Sequence, residues 1–246
     1  MYLRGHLLVI LALAALALSG CESAPGRPAP GSAPIPPDEI ADFDYLFSEN
    51  CAGCHGHEGR GGAALALNDP VYLAIADDAL LRRVATKGIP GTSMAAFAQS
   101  AGGRLMDRQV GIIVSGIRAR WAKPDALRGA NPPPYSASGA PGDSVRGAVV
   151  YKTYCSSCHG VDGKGGPKAS SIVDGSFLAL LTDQELRTLV IVGRPDLGAP
   201  DWRSNVPGRP MSPQEISDVV AWMASQRPQF PGQPYPETAK RAGETR

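Results

Sequence analysis

The sequence predicts a helical fold laid down twice, one small domain after another, on three observations. The pentapeptide Cys51-Ala52-Gly53-Cys54-His55 recurs once, 104 residues later, as Cys155-Ser156-Ser157-Cys158-His159. Apolar residues recur at spacings of three and four, as in Val110, Ile113, Val114 and Ile117, which is the period of an amphipathic helix. The halves also stay in register: Gly88-Ile89-Pro90 falls on Gly193-Arg194-Pro195 at an offset of 105, and the four apolar residues fall on Ile216, Val219, Val220 and Met223 at 106. Two one-residue slips across a whole domain mean one fold used twice.

Taken in order, residues 1–20 carry Arg4, an apolar run from Leu7 to Leu18, and then Leu18-Ser19-Gly20-Cys21. Length and flanks read as a signal peptide, too short for a comfortable transmembrane helix. The last four residues resemble a bacterial lipobox, which implies cleavage before Cys21 and lipidation of that residue; the alternative is an ordinary secretory signal with an incidental Cys. Several acyl chains on one residue meet the requirement of more than one lipid signal for stable anchoring. Residues 21–38 are rich in Ala, Pro, Gly and Ser with little to bury, so they read as a flexible tether.

The first domain is expected over residues 39–122. Asp38 precedes Ile40, Phe43 and Phe47, the start of a helix leading to Cys51; further helices are expected from about Asp77 to Thr86 and along the Val110–Ile117 face. Residues 123–142 return to Pro, Gly, Ser and Ala and form a linker. The second domain, 143–228, repeats the pattern with helices from Asp143, from Thr182 to Val192 and along the Ile216–Met223 face, and residues 229–246 read as a disordered proline-rich tail.

The repeated pentapeptide carries the chemistry. Cysteines at i and i+3 of a helix face the same way, so both thiols can add to the vinyl groups on one haem edge, and the His at i+4 is carried under the porphyrin as a proximal ligand. Two covalent c-type haems are therefore expected, on Cys51 and Cys54 with His55, and on Cys155 and Cys158 with His159. The rival is one zinc held by all four thiols, which leaves both histidines unexplained and fuses two complete repeats around one ion. A thioredoxin-like redox pair needs alternating strand and helix, and the sequence has none. Domains of this size have barely adequate apolar cores, so the haem also serves as core.

With C-x-x-C-H followed by G-x-x-G-x-G-G, both halves resemble class I cytochrome c domains, and residues 39–227 as a whole resemble a bacterial diheme cytochrome c lipoprotein. The resemblance implies an all-α fold whose first and last helices cross beside the haem, with Phe47, Tyr151 and Trp222 at the crossings. It also implies a Met in the sixth position. Met94, followed by Ala96-Phe97, resembles the family's M-P-x-F segment with Ala95 in place of Pro; otherwise Met94 fills core. In the second half the corresponding residue is Ala199, before Pro200-Asp201-Trp202, and alanine cannot ligate iron. Met211 is the substitute candidate, yet it precedes Ser212-Pro213-Gln214-Glu215-Ile216, a capped helix start in which Met211 would staple onto Ile216. Met211 ligation and an open sixth site both stand at this point.

A net charge of +1 with 19% charged residues excludes a broad electrostatic match to nucleic acid or another polyanion. Arg60, Lys164, Arg194, Arg203 and Arg209 are expected mostly at the solvated surface. The expected function is a non-enzymatic, membrane-tethered carrier of single electrons between redox proteins of a respiratory or dehydrogenase chain, lipid-anchored on the periplasmic or extracytoplasmic face of a bacterial membrane. The alternative is a haem enzyme or small-molecule sensor that uses an open second haem, for which Asp201 is the one nearby acid or base.

Overall fold

The computed structural model describes residues 34–228. The expected signal peptide, Cys21 with most of the expected tether, and the expected tail from residue 229 lie outside the described residues. The described residues fall in two units that divide after Ile40. Of the first, residues 34–40 hold a turn closed by the Glu39 N–H on the Pro36 carbonyl at 2.8 Å.

In the second unit, regular structure among the described residues is helical, with extended pairing limited to isolated bridges. Helix α1 (Phe43–Asn50) begins four residues later than Asp38 suggests: the turn over Pro36–Glu39 occupies the preceding chain, and Asp42 caps the helix by accepting the Tyr45 N–H at 2.8 Å. It leads directly into the single turn α2 (Ala52–His55). Asp69 caps α3 (Pro70–Ile75) and Asp77 caps α4 (Asp78–Lys87). The last helix of the first half, α5 (Asp107–Trp121), buries Val110, Ile113, Val114 and Ile117, as the spacing predicts. Arg118 on α5 ties this half together by donating to the Leu73 and Ala76 carbonyls and pairing with Asp78.

The second half repeats this order with α6 (Ser144–Tyr154), the single turn α7 (Ser156–His159), α8 (Gly175–Ala179), α9 (Asp183–Val192) and α10 (Pro213–Ser225). Helix α10 starts with Ser212 as N-cap, Pro213 in its first turn and Glu215 closing the capping box, and it buries Ile216, Val219, Val220 and Met223.

The first and last helices of each half cross tightly, but the two crossings are built in opposite senses. In the first half Phe43 of α1 is the large residue and Gly116 of α5 makes room for it; a Cβ on Gly116 would lie 2.1 Å from the Phe43 ring. In the second half Gly147 of α6 is the small residue, and a Cβ there would meet the Asp218 carbonyl at 2.0 Å and Trp222 of α10 at 2.7 Å. Aromatic rings fill the rest. Phe47 and Trp121 meet edge to face at 5.1 Å, and Tyr151 stacks on Trp222 at 4.2 Å.

Arginines join the halves. Arg194 and Asp196 form a 2.8 Å ion pair whose side chains are only 15% and 8% exposed, and the pair reaches across to the first half. There Asp196 accepts the Gly61 N–H at 3.0 Å and Arg194 donates to the Gly62 carbonyl at 2.9 Å. The linker is pinned as well: Arg187 donates to the Pro134 and Tyr135 carbonyls, and Arg203 to those of Ala126 and Leu127. Arg194 and Arg203 are therefore interior structural residues and not the solvated surface that loop placement suggests.

Candidate haem-binding sites

Each Cys pair lies on one helical turn. The His55 N–H donates to the Cys51 carbonyl at 3.0 Å, and His159 donates to Cys155 at the same distance. Gly56 and Gly160 end the turns with φ of 82° and 79°, a conformation that glycine adopts without strain. The returning loop then lies on the first turn so closely that a Cβ on Gly62 would come within 2.1 Å of the Cys54 carbonyl. The tip of the Trp121 indole meets the same loop at Gly59, as Trp222 meets Gly163 in the second half.

Both imidazoles are oriented by backbone. His55 Nδ1 lies 2.7 Å from the Leu65 carbonyl, and His159 Nδ1 lies 2.7 Å from that of Ser170. A carbonyl partner requires the proton on Nδ1, which leaves Nε2 as a bare lone pair. That tautomer is the one an iron ion needs, and the carbonyl raises the basicity of the free nitrogen. His55 is also held neutral: burial pushes its pKa down, the Leu65 contact opposes that, and the nearby Arg194 charge adds to it.

Burial, reinforced by the neighbouring Cys of each pair, pushes the Cys51 and Cys155 thiols up to about 12. Among the described residues no three His, Cys, Asp or Glu side chains converge as a metal site, so the four thiols are not gathered for one shared ion. The residues of both halves fit a c-type haem attached through two sulfurs and bound by one imidazole.

The segment after the fourth helix carries Met94, the expected sixth ligand of the first haem. Met94 is half-buried, and its backbone is held from both sides: its carbonyl accepts the Ile89 N–H at 2.9 Å and its N–H donates to Thr92 Oγ1 at 3.1 Å. In the second half Ala199 accepts the Arg194 N–H, also at 2.9 Å, so Ala199 stands where Met94 stands. Met211 corresponds to a different residue. Its N–H donates to the Trp202 carbonyl at 2.9 Å just as the Leu105 N–H donates to Phe97 at 2.7 Å, and both side chains are buried. The structure thus brings Cys51, Cys54 and His55 together, and likewise Cys155, Cys158 and His159, and places Met211 at the start of α10. The Leu65 and Ser170 carbonyls were not legible in the sequence, because a backbone acceptor leaves no side-chain signature, and the approach of Arg194 to His55 was not, because it is made across the two halves.

Two protein families match separate halves: residues 38–115 match cytochrome c oxidase, cbb3-type, subunit III, and residues 144–227 match cytochrome c. The cytochrome c subunit of the cytochrome bc1 complex of Mycobacterium bovis is 24% identical over 220 residues, covering 87% of this chain and 74% of its own. A cbb3-type cytochrome c oxidase subunit, FixP of Azorhizobium caulinodans, is 30% identical over 151 residues, 56% of this chain but only 45% of its own length. Among solved structures, a chain of the Kuenenia stuttgartiensis reducing HAO-like protein complex aligns over 79% of this chain and all of its own, at 18% identity and a TM-score of 0.42, too remote to add to the fold assignment. With a cytochrome c match in each half and a complete Cys-Cys-His turn in each, the chain belongs to the cytochrome c proteins as an all-α, two-domain diheme electron carrier with two covalently bound c-type haems.

Proposed function

We propose that this diheme cytochrome c is tethered to a membrane by lipid on Cys21 and carries single electrons between extracytoplasmic redox proteins of a respiratory or dehydrogenase chain. The observation that carries the reading is the duplicated geometry of His55 on the Leu65 carbonyl and His159 on the Ser170 carbonyl, held in one compact unit. The relatives that are subunits of bc1 and cbb3 complexes favour a membrane-bound redox complex as partner. The proposed domains at 39–122 and 143–228 take their support from one family match apiece, over residues 38–115 and 144–227.

In this reading Cys51 and Cys54 hold the first haem and Cys155 and Cys158 the second, with His55 and His159 as proximal ligands and Met94 as the sixth ligand of the first. Bound haem supplies a one-electron ferric–ferrous couple, and a thioether opposite imidazole favours the reduced state. The chain's own residues keep the geometry fixed as charge changes. The carbonyls of Leu65 and Ser170 hold the imidazole planes, and Ile89 and Thr92 hold Met94. The Arg194–Asp196 pair fastens the halves to each other through Gly61 and Gly62, and Arg203, paired with Asp201, fastens the linker at Ala126 and Leu127.

The test is intact mass spectrometry of the membrane-extracted protein together with a redox titration. The expected result is a mature chain that begins at a diacylglyceryl Cys21, carries two haem increments and titrates in two one-electron steps. A chain with fewer than two haems defeats the assignment of the Cys residues, and a soluble mature form with a different N-terminus defeats the tether.

A further inference from the structure

We propose that the second domain gives its haem iron no protein ligand on the sixth face, and that this face takes a small neutral diatomic molecule when the iron is ferrous. The inference rests on the haem assignment above and concerns the chain's own residues around that face. Its first support is register. The Ile89 N–H to Met94 carbonyl bond and the Arg194 N–H to Ala199 carbonyl bond are equivalent, and so are Leu105 N–H to Phe97 and Met211 N–H to Trp202. The two pairs bracket the distal segment at both ends, so the sulfur of Met94 is replaced by a methyl group and Met211 takes the place of a leucine.

Other donors are committed elsewhere. Met211 is 3% exposed, its backbone is fastened to Trp202 as that of Leu105 is to Phe97, and it immediately precedes Ser212, the N-cap of α10, so it occupies the place of a buried residue before a capped helix start. Met223 is part of the apolar cluster with Leu178, Leu186 and Val220. Lys164 pairs with Asp162 at 3.3 Å on the loop that follows His159. The remaining described histidine, His57, is exposed in the first domain.

Charge and size decide the class of ligand. The charged side chains flanking Ala199 neutralise each other: Arg194 with Asp196 at 2.8 Å and Arg203 with Asp201 at 2.6 Å, all four at least three-quarters buried. Such closed pairs leave little net field to draw in an anion. They also commit Asp201, which accepts from the Arg203 backbone N–H and guanidinium, and the neighbouring Asp69 accepts the Val71 and Tyr72 N–H groups, so neither carboxylate is free to move a proton during peroxide cleavage. Replacing a thioether arm by a methyl group frees about the volume of a diatomic molecule and much less than an organic substrate needs. Reversible binding of a neutral diatomic is the chemistry that remains.

The full chain with both haems, reduced and titrated with carbon monoxide, is expected to bind one molecule per chain, and its oxidised form to show one six-coordinate low-spin haem and one that is not. Ala199→Met restores the missing arm in phase with Met94, and carbon monoxide binding should fall at least tenfold. Failure of the wild type to bind carbon monoxide, or binding at both haems with both low-spin at rest, overturns the proposal. So does a carbon monoxide site that appears in Met211→Leu but not in the wild type, since that identifies Met211 as the ligand. The haem count and the reversible titration of the first haem are read separately, so failure here is distinguishable from failure of the electron-carrier reading.

Discussion

Met94 and Ala199 sit at the same hydrogen-bonded point of two copies of one loop, and only Met94 carries a sulfur. If that sulfur is the sixth ligand, Met94→Ala should lower the potential of the first haem, because the lost thioether favoured ferrous iron. The expected shift is on the order of a hundred millivolts, a modest part of the roughly 0.8 V that axial ligands span. Spectroelectrochemistry checks it, and an unchanged potential with an unchanged sulfur-to-iron charge-transfer band would reduce Met94 to packing. The Cys-Cys-His turns were legible because covalent attachment fixes both residue type and spacing, and Ala199 was legible through the repeat offset. The carbonyls that orient His55 and His159 were not, since any residue supplies a carbonyl and only the folded loop chooses which one.

At the level of elements, α1, α5 and α10 announced themselves by apolar spacing, whereas α3 and α8 did not. Six and five residues are too few to show a period, and their one signal is the capping Asp69 or Asp174 before them. Nor did the sequence show that the helix crossings are mirror-built, with Phe43 over Gly116 and Trp222 over Gly147. Gly116→Ala and Gly147→Ala should each destabilise their own domain by about 1–3 kcal/mol, the range for overpacking. Urea unfolding of the holoprotein checks this, and Phe43→Ala should partly rescue Gly116→Ala while leaving Gly147→Ala unrelieved. Asp218 adds a pH dependence at the second crossing. Its carboxylate accepts from the Arg146 guanidinium, from the Asp143 N–H and from Gln214, and the Arg146 contact above all lowers its pKa from 3.8 to about 2. A pKa lowered in the folded state stabilises above the unfolded value, and this contribution is lost as pH falls from about 4 to about 2. It amounts to about 1–2 kcal/mol once solvent screening at the half-exposed Arg146 is allowed for. Asp218→Asn should flatten acid unfolding of the second domain across that window, and an unaltered acid limb would show that the carboxylate does not carry it.

For the whole molecule, the informative feature is the Arg194–Asp196 pair. It lies in the distal segment of the second domain yet fastens to Gly61 and Gly62, the loop folded over Cys54 in the first. Sequence could not reveal this, because both partners across the boundary are backbone atoms of glycines. The pair is neutral as a unit, and breaking it from either side leaves one charge uncompensated near His55, which already senses Arg194. The signs follow from electrostatics. Asp196→Asn leaves the guanidinium alone, and its positive charge disfavours ferric iron, so the first haem's potential should rise. Arg194→Met leaves the carboxylate alone, and the potential should fall. Each shift is on the order of 1 kcal/mol, roughly 40 mV for one electron, at the effective dielectric constant of a partly buried site. The double variant Arg194→Met/Asp196→Asn removes both charges and should return the potential close to the wild-type value. Loosened packing alone would move both single variants in the same direction and leave the double variant worst of the three. A redox titration of the four proteins separates the two cases, and equal signs for the single variants would mean that the pair joins the domains mechanically without tuning the first haem.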